Sequence, residues 1–134
     1  MIGVPTDAQY QQLLAFRTRL RQFDQWSREA AEAHGLTHPQ HQLLLAVRGS
    51  TSADGPTVGE LATALLLRRH SATELVDRTQ SLGLIERARD EQDARRVHLR
   101  LTERGHDVLT ALTSSHLEEL RGLQPLLTLR DDEI

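Results

Sequence analysis

A mainly α-helical fold carrying one β-hairpin is what the sequence predicts, and three observations predict it. Segments of the form Ser/Thr-x-x-Glu/Gln at Thr6–Gln9, Thr37–Gln40 and Thr57–Glu60 each stand before a run of helically spaced apolar residues. Beyond Gly83 the apolar spacing changes from three-and-four to two. The polar stretch Asp90 to Arg95 separates two alternating runs and is too long for a two-residue turn, so it forms a protruding hairpin tip.

Thr6 opens the first helix, where Tyr10, Leu13, Leu14, Phe16, Leu20, Phe23 and Trp26 make a broad apolar stripe ending near Gly35. Thr37, with Pro39 in the first turn, opens a short helix that buries Leu43, Leu44, Leu45 and Val47. Gly49 to Pro56 is a loop by composition. Thr57 caps a third helix with Leu61, Ala62, Leu65 and Leu66 as its apolar positions, and a break follows at Leu67-Arg68-Arg69. Ser71 to Ser81 is a fourth helix, with Ala72, Leu75, Val76 and Leu82 on one side and Ser71, Glu74, Asp77 and Arg78 largely on the other. The strands follow, with Leu84, Glu86 and Ala88, then Val97, Leu99 and Leu101, set against an outer row of Arg96, His98 and Arg100. Thr102 starts a helix with Val108, Leu109, Leu112, Leu117 and Leu120 as its stripe, and Pro125 opens a last short segment. Two short helices joined by a tight turn and followed at once by a hairpin make a winged helix-turn-helix, flanked here by N- and C-terminal helices.

Composition bounds the function. The 134 residues are one domain's worth, large enough to hold a core without crosslinks. The absence of cysteine removes disulfide scaffolds, cysteine-built zinc sites and thiol chemistry. Apolar runs are far too short to span a bilayer and no secretory leader is apparent, so the chain reads as cytoplasmic, with no membrane partner. The net charge of −3 is unevenly spread: residues 1–57 sum to 0, residues 58–101 to +1 and residues 102–134 to −4. Every basic residue is arginine, and Arg68, Arg69, Arg78 and Arg95 fall on outward positions of the winged helix. No glycine-rich phosphate loop, His-Glu-x-x-His run or nucleophilic triad motif occurs, so nothing points to an enzyme or calls for a cofactor.

Leu36-Thr37-His38-Pro39-Gln40, Thr57-Val58-Gly59-Glu60-Leu61-Ala62, Leu75-Val76-Asp77-Arg78, Gly83-Leu84-Ile85-Glu86-Arg87, Asp90 to Arg96 and Leu101-Thr102-Glu103-Arg104-Gly105 together resemble the MarR family of transcriptional regulators, over roughly residues 8–120. The order and spacing carry the likeness more than any one piece. The resemblance implies a homodimer binding double-stranded DNA at an inverted repeat, with residues 36–102 as the winged-helix part and residues 6–35 and 103–134 as dimerisation helices of a single domain. It implies repression released by a small-molecule effector.

Carried over by position, His70, Ser71, Thr73 and Glu74 face base edges, Arg68 and Arg69 lie near phosphates at the amino end of the recognition helix, and Arg78 lies on its outer side. Arg95 corresponds to the wing arginine that enters the minor groove, and Asp93 to its hairpin brace. Arg68 stands where the family often has a small capping residue, which implies either a less crisp helix start or a cap at Ser71. Ala94 stands where a second wing arginine is common, and the segment after Pro125 is shorter than the family's last helix.

Other residues bear two readings. Phe23, Trp26 and His41 are candidates for an effector pocket, although helical spacing also makes the two aromatic residues core or dimer contacts. His34, His38, His41, His106 and His116 invite a metal-sensor reading, but their spacing does not put two ligands on one turn. Arg87, Arg89 and Arg100 fit surface ion pairs as well as DNA contacts. A winged helix that serves a protein partner is the remaining alternative.

Overall fold

In the computed structural model residues 3–122 are described, and they form five helices and one two-stranded sheet. The elements run α1 (Asp7–Ala33), α2 (His38–Gly49), α3 (Val58–Leu65), α4 (Arg69–Ser81), β1 (Ile85–Arg89), β2 (Val97–Leu101) and α5 (Glu103–Leu120). This is the mainly α winged helix-turn-helix read from the sequence. The segment after Pro125 lies outside the described residues.

All three expected capping boxes form. Thr6, Thr37 and Thr57 each accept from the backbone N–H three residues on, while Gln9, Gln40 and Glu60 reach back to the cap's own N–H. Each box satisfies two of the amides that a helix start leaves free. Thr102 does half of this for α5, accepting from the Gly105 N–H at 3.1 Å, while its hydroxyl donates to the Gly83 carbonyl at 2.7 Å. One threonine therefore starts the helix and ties it to the end of α4.

The core gathers Leu36, Leu43, Leu44, Val47, Leu61, Val76, Leu84, Ile85, Leu99, Leu109 and Leu112 with Ala31 of α1, so every element contributes to it. It sits where α2, α3 and α4 meet the inner face of the hairpin and the first turns of α5. Arg19 and Glu119, paired at 3.3 Å, add a link between α1 and α5.

The strands are antiparallel, with Ile85 opposite Leu101, Arg87 opposite Leu99 and Ala88 opposite His98. Opposed residues share a face, so this register corrects the expected rows by one residue in β1: Ile85, not Leu84, Glu86 or Ala88, joins Leu99 on the core side. Leu84 is buried just before the strand. His98, expected in the outer row, is only 5% exposed, because the α2–α3 loop lies along that side of β2. There Thr57 bridges His98, and the Leu99 N–H donates to the Pro56 carbonyl at 2.8 Å.

Other apolar positions depart from expectation. Leu45 is exposed on α2, where burial was expected; Tyr10, Leu13, Leu14, Leu117 and Leu120 are exposed on α1 and α5, the helices expected to meet a second copy. Leu66 is 92% exposed because the chain turns there through a left-handed conformation, φ 55° and ψ 41°, that ends α3. Its N–H bonds the Thr63 carbonyl and the Leu67 N–H bonds that of Ala62, satisfying helix-end carbonyls.

Gly105 marks the closest approach between elements. A Cβ built there would lie 2.0 Å from the Leu84 carbonyl oxygen, which is backbone and cannot swing aside. Gly105→Ala should therefore lower stability by about 1–3 kcal/mol through forced displacement of α5. Gly49→Ala, on a helix residue with open space around it, should shift stability by no more than about 1 kcal/mol. Urea denaturation of the two variants checks the contrast, and equal midpoints would show that α5 does not rest on Leu84.

Candidate nucleic-acid interface

The face that the helix-turn-helix leaves free is defined by what α4 buries. Ala72, Val76 and Thr79 are buried, a single seam at helical spacing, and the Thr79 hydroxyl turns back to donate to the Leu75 carbonyl at 2.7 Å. Everything opposite that seam faces outward. Arg68, Arg69, His70, Ser71, Glu74 and Arg78 are all exposed, and Thr73 is half-buried with its hydroxyl donating to the Arg69 carbonyl at 3.0 Å.

The start of α4 differs from that of the capped helices. Arg68 occupies the cap position with no side-chain hydrogen bond to the helix, and the first turn holds no acidic residue. Of the two expected starts, the uncapped one is found. The helix begins at Arg69, two residues earlier than the sequence pattern suggested, and Ser71 lies within it. Uncapped amides at the positive end of a helix, beside two arginines, make a place where an anion is favoured. Among the described residues Arg68, Arg69 and Arg78 enter no ion pair, whereas His70 and Glu74 approach each other at 3.3 Å on successive turns.

At the hairpin tip a relay of side chains shapes the backbone. Asp90 Oδ1 accepts from the Gln92 N–H at 2.8 Å and from that of Asp93 at 3.3 Å. Asp93 Oδ1 accepts from the Arg95 N–H at 3.0 Å and from its Nε at 3.3 Å. Asp93 thus touches both the backbone and the guanidinium of Arg95, whose side chain is 93% exposed. Ala94 is exposed and adds no charge.

The strand arginines divide. Arg87 pairs with Asp77 at 2.7 Å and also meets Gln80, which fastens β1 to the outer side of α4. Arg100 leans toward Asp54 at 3.9 Å, and Arg89 makes no ion pair among the described residues.

Phe23, Trp26 and His41 come together around a residue the effector reading did not include. The His116 ring lies 5.9 Å from Phe23, 4.7 Å from Trp26 and 4.6 Å from His41. His116 Nδ1 faces the Leu112 carbonyl at 2.7 Å and must donate to it, while Nε2 lies 2.7 Å from the buried Ser27 hydroxyl. Sequence spacing could not find this cluster, because it joins three helices and depends on the turn of α5 that meets α1. His41 is 2% exposed with no partner for Nδ1, and burial, then His116, lowers its pKa to about 4. His38, whose Nδ1 is also unpartnered, is lowered by burial and then by Arg28.

These histidines do not converge as metal ligands. Among the described residues the one group of three whose donor atoms lie within 4.8 Å of one another is Asp54, Asp90 and His98. The same residues were the least legible in the sequence: an aspartate in a loop, another at a hairpin tip and a histidine assigned to the outer row.

Comparison with known proteins agrees with this geometry. Residues 34–96 match the model of the MarR family. The chain is 31% identical over 111 residues, 75% of its length, to the HTH-type transcriptional regulator TtmR of Methylorubrum extorquens, and it spans about half (55%) of that relative. Among solved structures, a MarR family protein from Bacillus stearothermophilus superposes with a TM-score of 0.75 at 28% identity, over 99% of this chain and 88% of that one. The MepR–DNA complex of Staphylococcus aureus superposes with a TM-score of 0.72 at 27% identity, over 90% and 85% of the two chains. Among the described residues no helix is long and apolar enough to cross a membrane.

His41 gives a stability prediction with a definite sign. Its pKa is about 4 in the fold against 6.5 unfolded, so the unfolded chain binds the proton more readily. Stability from this group is complete above about pH 6.5 and is lost as pH falls toward 4, by roughly 3 kcal/mol in all. His41→Leu should flatten this acid limb. Urea midpoints of wild type and variant at pH 7.5 and 4.5 measure it, and parallel losses in both would remove His41 as the cause.

Proposed function

The chain belongs to the MarR family, and from that premise we propose that it is a sequence-specific DNA-binding transcriptional regulator, a repressor released from its operator by an effector. The observation that carries this reading is the exposed, uncapped and acid-free start of α4, with Arg68, Arg69 and His70, in the same fold as a hairpin tip that offers Arg95.

In this reading α4 lies in the major groove. His70, Ser71, Thr73 and Glu74 face base edges, Arg68 and Arg69 hold phosphates, Arg78 follows the backbone and Arg95 enters the neighbouring minor groove. Asp93 braces the wing arginine. Residues 36–102 form the DNA-binding part. Residues 6–35 and 103–134 form the dimerisation part, a role supported by the exposed Tyr10, Leu13, Leu14 and Leu117 on α1 and α5. Two-fold protein would then meet an inverted repeat with half-sites about 34 Å apart. Phe23, Trp26 and His41 mark the effector pocket, supported by their convergence around His116 and by the unpartnered His41 Nδ1. An effector acts here only if it binds the released arrangement more tightly than the DNA-bound one.

Fluorescence anisotropy tests the reading, with a labelled duplex from the DNA flanking the gene and a scrambled one, at several salt concentrations. Preference for the native duplex should reach about a thousandfold, and affinity should fall by about 0.9 log units per log unit of salt for each phosphate contacted. Weak, equal and salt-insensitive binding would point to a protein-binding module instead. Arg95→Ala should weaken binding to all sequences alike, and unchanged affinity would remove it from the interface. His70→Ala should change sequence preference more than salt slope. An unaltered preference would place the reading face of α4 elsewhere.

A further inference from the structure

The DNA-binding reading leaves one buried group unused. His98 is 5% exposed, yet both its ring nitrogens face acceptors: Nδ1 lies 2.8 Å from the Gly55 carbonyl oxygen and Nε2 lies 3.0 Å from Asp90 Oδ2. A carbonyl can only accept, and an ionised carboxylate can only accept. Both contacts hold at once only if both nitrogens carry protons.

The surroundings favour that charge. Asp90 lies at the hairpin tip, and Asp54 from the α2–α3 loop adds a second acid, itself drawn to Arg100 of β2 at 3.9 Å. Across the sheet stands Ala88, and across the loop bridge Thr57 at the start of α3, neither of them charged. From α5, His106 borders the hollow of about 360 Å³ lined also by Asp54, Gly55 and Arg100. The hydrogen bond to Asp90, then that to Gly55, raises the His98 pKa, and the same bond from His98 lowers that of Asp90.

Asp90 is also the residue that shapes the tip. One oxygen takes His98 while the other holds the Gln92 and Asp93 amides, and Asp93 in turn holds Arg95. A continuous chain of hydrogen bonds therefore runs from the α2–α3 loop through His98 to the wing arginine. We propose that His98, as an imidazolium, is a positioning residue for the wing, clamping the hairpin tip to the α2–α3 loop so that DNA affinity falls when it loses its proton. A neutral ring keeps one N–H and must give up either Gly55 or Asp90. This role rests on the DNA-binding reading, but the protonation state and its reach to Arg95 can be tested without DNA.

The first experiment follows the His98 ring nitrogens and the backbone amides of Gln92, Asp93 and Arg95 by NMR on the full chain from pH 5.5 to 9. Both nitrogens should be protonated at pH 6.5, with a midpoint above the ordinary value of about 6.5, and the three amides should move with that midpoint. One unprotonated nitrogen at pH 6.5, or amides that stay still, overturns the inference. In Asp90→Asn the carboxamide keeps an oxygen for the turn and offers an N–H to Nε2, so His98 should become neutral at lower pH and the amides should lose their shared midpoint.

The second experiment measures operator affinity at pH 6.5 and 9. Wild type should weaken by about fivefold more than Asp90→Asn or His98→Gln, the size of one lost hydrogen bond. An equal decline in all three overturns the positioning role. If no duplex is bound, the function reading fails, and the amide titration still decides whether the clamp exists. A His98 signal that changes on adding zinc or a chelator, with Nε2 unprotonated, would overturn the proton reading in favour of a cation held by Asp54, Asp90 and His98.

Discussion

Everything in this fold depends on how little of α4 is used to hold it. Ala72, Val76 and Thr79 recur at four and three residues, so they line one narrow buried strip, with Leu75 half-buried beside it and Asp77 and Gln80 held by Arg87 of β1. Val76 belongs to the core with Leu61 of α3, Leu84 and Ile85 at the hairpin's start, and Leu99 of β2. A wider apolar stripe would hold the helix more firmly but would bury the positions that can meet a ligand. The narrow seam needs help at both ends. The chain enters through the left-handed Leu66, whose conformation costs roughly 1–2 kcal/mol for a residue with a side chain. It leaves through Gly83, φ 75°, where the Thr102 hydroxyl binds the carbonyl.

The same economy governs charge. A balance of +1 over residues 58–101 looks too weak for a DNA-binding surface, yet the acids there are not spread evenly in space. Asp77 holds Arg87, Asp93 holds Arg95, Asp90 holds His98, and Glu60 lies 4.0 Å from Arg96. These acids are held along the outer side of α4, at the start of α3 and at the hairpin tip, while the first turn of α4 has none. Local potential at the helix start is therefore positive although the segment is nearly neutral, and partly exposed pairs such as Arg87–Asp77 serve orientation more than stability.

What the sequence made legible was whatever is decided within a few residues. The capping boxes at Thr6, Thr37 and Thr57 are local exchanges between a side chain and its own helix, so their pattern is sufficient. The change of period beyond Gly83 likewise located the hairpin. Positions decided by remote neighbours were not legible. Leu84 and Ile85 are both apolar, and only the pairing of β1 with β2 tells which one points inward along the strand. Leu66 reads as helical, since neither glycine nor asparagine announces the left-handed turn. His98 looks like an outer-row residue until the α2–α3 loop is laid over it, and His116 is inconspicuous until α5 crosses α1.

The two most buried histidines then pull in opposite directions. His41 has no partner for Nδ1 and stays neutral, so it lowers stability when acid forces a proton onto it. His98 lies between a carbonyl and a carboxylate and favours its proton, so the clamp it forms is complete below its unfolded pKa and is lost as pH rises through the raised folded value. Asp90, lowered by the same bond, gives way only at strongly acid pH. His41 asks for a pH above about 6.5 and His98 for one below its own raised value, so a neutral window follows from two side chains on opposite sides of one core. Within that window α1, α2 and α5 are held around an uncharged imidazole, and the wing is held by a charged one.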